Sequence, residues 1–117
     1  MRQDDALLLD MWIAARKIQD FTKNASFDDF KTNTMMQSAV LREIQVIGEA
    51  ARIVSEDAQT RYSGIPWRVI AGMRNRVIHE YFDIRLNVIW AVVQTDIPDL
   101  LLHLHAVLPP PKIEGDS

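Results

Sequence analysis

The 117-residue sequence contains no cysteine, which excludes disulfides, thiolate nucleophiles and cysteine-ligated zinc and fits a reducing compartment. Nor does any apolar run approach the roughly 20 residues needed to span a bilayer. The start, Met1 to Leu9, carries Asp4 and Asp5 early and lacks the basic n-region of a signal peptide. A cytoplasmic protein without membrane contact is expected. No alternating strand pattern, Gly-rich phosphate loop, paired catalytic carboxylate or Ser-centred triad motif is present, and no internal repeat. Excess positive charge is also missing: the net charge is -3, which argues against a coat for long nucleic acids, because phosphate binding relies on Lys and Arg.

What positive charge there is, is local. Residues 61–85 carry Arg61, Arg68, Arg74, Arg76 and Arg85 against Glu80 and Asp83, whereas residues 1–30 carry six aspartates against four basic residues. A short basic stripe on an acidic body suits an enzyme touching a few phosphates.

Helical periodicity runs through most of the chain. Leu7, Met11, Ala14, Ile18 and Phe21 predict a helix from about Asp5 to Lys23, and Ser26 with Asp29 reads as a cap for a short turn over Phe27 to Lys31. Thr34 with Gln37 opens a long helix with the stripe Val40, Ile44, Ile47, Ala51 and Val54, ending near Gln59, with Glu43 and Glu49 expected on its solvated face. Pro66 starts a third helix that has to stop or distort near Tyr81. Asp83 reads as the N-cap of a fourth, Ile84 to Gln94, which Ile97-Pro98 breaks or kinks before Leu100 to Val107 continues it. The fold expected is all-α: an antiparallel four-helix bundle with a kinked or split last helix, as one domain over residues 1–108 and a flexible tail over 109–117. Apolar residues on several faces of the last two helices (Val69, Ile78, Val88, Ile89, Val92, Leu104) predict a homodimer.

Chemistry concentrates in Gly72-Met73-Arg74-Asn75-Arg76-Val77-Ile78-His79-Glu80-Tyr81-Phe82. Histidine accepts and donates protons near neutral pH, and arginine matches phosphate oxygens with a planar fork. Together they suffice to cleave RNA without a metal. A base removes the 2′-OH proton, the alkoxide attacks phosphorus, and Arg stabilises the phosphorane, leaving a 2′,3′-cyclic phosphate and a 5′-OH. On a regular helix Arg74 and His79 point roughly 140° apart. Either the helix loosens before His79, or the site is composite, with Arg74 and His79 drawn from two protomers. The plain alternative makes His79 a helix cap and both arginines solvated charges. His103 and His105, two positions apart, do not form a helical metal pair, and no metal or cofactor is expected. Trp12, Trp67 and Trp90 read as packing residues.

Arg74, four residues, His79, Glu80 and Tyr81 resemble the Arg-x4-His-x-Tyr signature of HepT-like proteins of the HEPN superfamily. Ile47-Gly48-Glu49-Ala50-Ala51, Ile65-Pro66-Trp67, Gly72-Met73-Arg74-Asn75 and Asp96-Ile97-Pro98-Asp99-Leu100 also resemble that family's pattern, in order. The resemblance implies a dimeric RNA-cleaving toxin of a type VII toxin–antitoxin system, with Arg74 and His79 as the catalytic pair and Asn75 orienting His79 or the phosphate. Arg76 and Arg68 are expected to contact the RNA, for which tRNA is the family's analogy. It further implies a neighbouring nucleotidyltransferase antitoxin of the MntA type that adds AMP to Tyr81. The competing expectation is a catalytically silent helical module that binds a nucleotide or such a partner.

Overall fold

The computed structural model describes residues 2–80 and 83–108, with the backbone alone at Arg2, His79, Glu80 and Asp83. Two expectations, the modification site Tyr81 and the tail 109–117, lie outside the described residues.

Helix α1 spans Arg2–Thr22 and turns Leu8, Met11, Ala14, Ala15 and Ile18 into the core. Phe21, expected on that stripe, lies on the exposed side. Asn24 follows the helix with a φ of 63°, a left-handed conformation that Asn tolerates better than most residues, and the helix stops there. Short α2 (Phe27–Lys31) has the expected capping box: the Ser26 hydroxyl accepts from the Asp29 N–H and the Asp29 carboxylate accepts from the Ser26 N–H. It seats Phe30 in the core against the ring of Trp90.

Helix α3 spans Thr34–Ile53, packs mainly on α1, and is capped by Asn33, whose side chain accepts from Met36, rather than by Thr34. It also ends sooner than its apolar stripe suggests. Val54 is buried on the same stripe but has left the helical conformation, and Ser55 caps a separate helix, α4 (Glu56–Arg61). Ser55 is held for this by the Asp4 carboxylate at the start of α1. Glu49 is solvated as expected, but Glu43 is 4% exposed, with Arg42 Nη1 at 2.9 Å. An adjacent guanidinium at the surface offsets part of the cost of burying that carboxylate.

The expected third helix is two: α5 (Trp67–Ala71) and α6 (Met73–Val77), joined through Gly72. After Val77 the backbone extends into β1 (Ile78–Glu80), paired antiparallel with β2 (Asp83–Ile84). Asp83 is therefore a strand residue, and Arg85, not Asp83, precedes α7 (Leu86–Ala91). A π-turn over Val92–Asp96 carries α7 into α8 (Ile97–Val107). Pro98 explains it: proline has no N–H to return to the Gln94 carbonyl and its ring crowds that oxygen, so the helix widens upstream. The Ile97 N–H reaches back to the Val92 carbonyl, and this five-residue step keeps Val92 and Ile97 both buried.

The fold is all-α, helical apart from that small hairpin. Of the residues taken to call for a dimer, Ile89, Val92 and Leu104 are fully buried, Ile78 nearly so and Val88 partly, leaving Val69 exposed. All of them but Val69 belong to the protomer's own core. Among the described residues, no helix is long and apolar enough to cross a membrane.

Candidate active site

The site is built on α5, α6 and the strand that follows. Pro66 precedes α5, and Trp67 is anchored by its indole N–H, which donates to the Tyr62 carbonyl at 3.1 Å. Helix α5 lies close against α3. A Cβ on Gly48 would stand 3.4 Å from the Ala71 carbonyl oxygen and 3.6 Å from that of Ile70, in van der Waals contact, so there is room there for little more than a methyl group.

Helix α6 inherits its orientation from this contact. Met73 and Val77, four apart, are fully buried, so Arg74, Asn75 and Arg76 are left on the exposed side. Arg74 Nη1 donates to Asn75 Oδ1 at 3.2 Å. Both line an open groove of about 1110 Å³ that α1 and α3 complete, with Asp10, Arg42, Glu49 and Arg52 among its walls. Glu49 and Arg52, one turn apart on α3, pair along its wall at 3.4 Å. Two residues beyond Arg74 is roughly 200° around a helix. Arg76 accordingly faces the other way, and its Nη2 meets the Asp96 carboxylate of the π-turn at 2.6 Å.

The helix ends one residue later. Ile78 has an extended backbone (φ -117°, ψ 101°), its N–H still closing the last turn on the Arg74 carbonyl, and the Val77 carbonyl accepts the N–H of Arg85 from beyond the hairpin. Arg74 and His79 are thus not on one continuous helix. The loosened helix, one of the two alternatives set by helical geometry, is what the protomer contains.

Of the sequence-predicted residues, Arg74 and Asn75 share the groove. The backbone of His79 lies in β1, just after the helix that carries them. Arg68 is exposed on α5 but does not line the groove, and Arg76 has a carboxylate seated on its guanidinium. Sequence reasoning missed Arg42 and Arg52, on α3, and Asp96. The two arginines, ten apart and so roughly 80° from each other around α3, both line the groove; nothing in the sequence singles them out. His103 is held by its own helix, Nδ1 lying 2.9 Å from the Asp99 carbonyl, and His105 stacks at 6.0 Å from Trp12.

Comparison with known proteins settles the family. The ribonuclease HepT-like family model matches residues 11–107, which includes every helix but the start of α1. The chain belongs to the HepT-like ribonuclease family. Related proteins of this family include "Probable ribonuclease HepT" of Thermococcus cleftensis, 39% identical over 93 residues that cover 80% of this chain and 84% of that one. A protein of Methanocaldococcus jannaschii named "Putative RNase MJ1380" is 34% identical over 99 residues, 85% of this chain and 91% of its own. One from Caldanaerobacter subterraneus subsp. tengcongensis, "Putative RNase TTE0752", is 35% identical over 86 residues, 74% of this chain and 77% of its own. No solved structure matches the chain. Within the HepT-like match lie Arg74, Asn75 and the whole segment through His79 and Tyr81.

Proposed function

We propose that this HepT-like endoribonuclease is the toxin of a type VII toxin–antitoxin pair, cutting RNA without a metal through Arg74 and His79 and silenced by AMP added to Tyr81. The observation that supports this best is the end of α6 at Val77. On a regular helix the two side chains diverge; a backbone extended from Ile78 frees His79 from that track while keeping it within a few residues of Arg74.

In this reading His79 takes the 2′-OH proton of the nucleotide 5′ to the scissile phosphate. The alkoxide attacks phosphorus, negative charge gathers on the non-bridging oxygens, and the Arg74 guanidinium holds it. Asn75 accepts one Arg74 N–H at 3.2 Å and so steadies the fork. A proton must also reach the leaving 5′ oxygen. A homodimer supplies it economically, with one His79 from each protomer acting as base and as acid. The RNA strand runs along the groove beside Arg74, whose walls include Arg42 and Arg52, each paired with a glutamate of α3, and Arg68 meets it outside. Transfer RNA in the cytoplasm is the substrate class most in keeping with the family. AMP on Tyr81, added by an MntA-type nucleotidyltransferase, would place a phosphodiester charge where the RNA phosphate binds.

The test is the product. Cleavage of RNA in the presence of a chelator should leave 2′,3′-cyclic phosphate and 5′-OH ends, and a substrate with a 2′-deoxy nucleotide at the cut should survive. Ends bearing 5′-phosphate, or cleavage of the deoxy substrate, would rule out attack by the 2′ oxygen.

A further inference from the structure

The five-residue helix α6 carries Arg74, yet a helix this short makes too few internal hydrogen bonds to hold its own shape. Its place depends on what it is fastened to. Met73 and Val77 fasten its buried side. On its other side, among the described residues, one side-chain polar contact joins α6 to another element: Arg76 Nη2 to Asp96 Oδ2, 2.6 Å, between a side chain 41% exposed and one 21% exposed.

Asp96 is the last residue of the π-turn. A π-turn inserts one residue into the helical repeat, turning everything after it by roughly 100° relative to an uninterrupted α-helix. Where Asp96 points is therefore set by the same widening that Pro98 imposes. Twenty residues separate the two partners, and Arg76 is the last but one residue of α6, just before the turn into the strand that bears His79.

We propose that Asp96 is a positioning residue for RNA cleavage, acting through Arg76 to fix where α6 ends and hence how Arg74 and His79 stand to each other. The inference rests on the reading that those two residues perform the cleavage. It assigns Arg76 a different task from phosphate binding: its charge is already met by a carboxylate that would itself repel an incoming phosphate. If Arg76 were instead a phosphate contact, removing the Asp96 charge would release it and tighten RNA binding. The two roles thus predict opposite effects of one substitution.

The experiment measures kcat and KM of the full chain on total tRNA or a mixed-sequence single-stranded RNA, whichever the wild type cuts faster. It compares Asp96→Asn, Asp96→Glu and the charge swap Arg76→Asp/Asp96→Arg, with His79→Ala as reference. Misplacing reacting groups by about 1 Å costs on the order of a hundredfold. Asp96→Asn should accordingly lose about ten- to a hundredfold in kcat with KM nearly unchanged and its melting temperature well above the assay, and Asp96→Glu and the swap should recover most of the loss. Wild-type kcat in Asp96→Asn, or a lowered KM, overturns the inference. Should Asp96→Asn fail to fold, the swap decides: folded and active supports the pairing, folded and inactive overturns it. Full cleavage by His79→Ala overturns the catalytic reading itself, whereas an inactive His79→Ala beside a fully active Asp96→Asn overturns the positioning role alone.

Discussion

The Asp4 carboxylate accepts the backbone N–H of Ser55 at 2.9 Å and the Ser55 hydroxyl at 2.7 Å, joining the first turn of α1 to the break between α3 and α4. The Ser55 oxygen in turn accepts the N–H of Ala58, so one residue is both partner and cap. Hydrogen bonding by the Ser55 N–H, then by its hydroxyl, holds the Asp4 carboxyl below its ordinary value of 3.8, helped by the charge of Arg61. Because the folded value is depressed, the stability this carboxylate contributes is complete above 3.8 and is lost as the pH falls through the lower folded value. Urea midpoints followed into acid should therefore fall less steeply in Asp4→Asn than in the wild type. Parallel acid limbs would mean that Asp4 gains nothing from Ser55 on folding.

Gly48 offers a second test, because it links packing to the site. Branching at a Cβ already 3.4 Å from the Ala71 carbonyl oxygen forces α3 and α5 apart. Gly48→Val should cost about 1–3 kcal/mol, as overpacking usually does, and should lower RNA turnover, since Ala71 lies just ahead of Gly72 and Arg74. A denaturant titration matching the wild type would show that the contact yields without cost.

Much of this architecture is legible in the sequence where the signal is local. Ser26 and Asp29 stand in the pattern of a capping box and form one over the predicted Phe27–Lys31. What the sequence hides depends on partners distant in the chain or on elements too short to leave a pattern. Val54 continues the apolar stripe, so nothing nearby announces that Asp4 will draw Ser55 out of the helix. Glu43 looks solvated in the sequence, yet it is buried once the chain has folded. Three- and two-residue strands are too short to show alternation, so the sequence does not reveal the hairpin and Asp83 reads as a cap. At the site the same division holds. Arg74 and Asn75 are adjacent in a recognisable motif, while Arg42 and Arg52 come from α3 and line the same groove only once the chain has folded.

Tyr81→Phe separates modification from catalysis, since it keeps the ring and removes the acceptor oxygen. The variant should still cleave RNA but escape neutralisation: after incubation with an MntA-type nucleotidyltransferase and ATP, intact-mass measurement should find no added AMP. AMP on the Phe variant would move the acceptor elsewhere, and loss of cleavage would give the phenol a part in the reaction.

Arg74→Ala should cost on the order of a hundredfold or more in rate, as removing a donor from a preorganised anion site does. Its side chain is exposed and, among the described residues, hydrogen-bonds to neighbouring Asn75, so stability should change little. Unchanged turnover would make Arg74 a solvated charge.

The central claim, that His79 moves the proton in a metal-independent cleavage, is tested most directly by RNA cleavage by the wild type and His79→Ala, each with and without a chelator. The wild type should cut equally well in both conditions, and His79→Ala, folded as judged by its helical circular dichroism, should not cut at all. Full cleavage by His79→Ala, or wild-type activity lost in the chelator and restored by added metal, would contradict it.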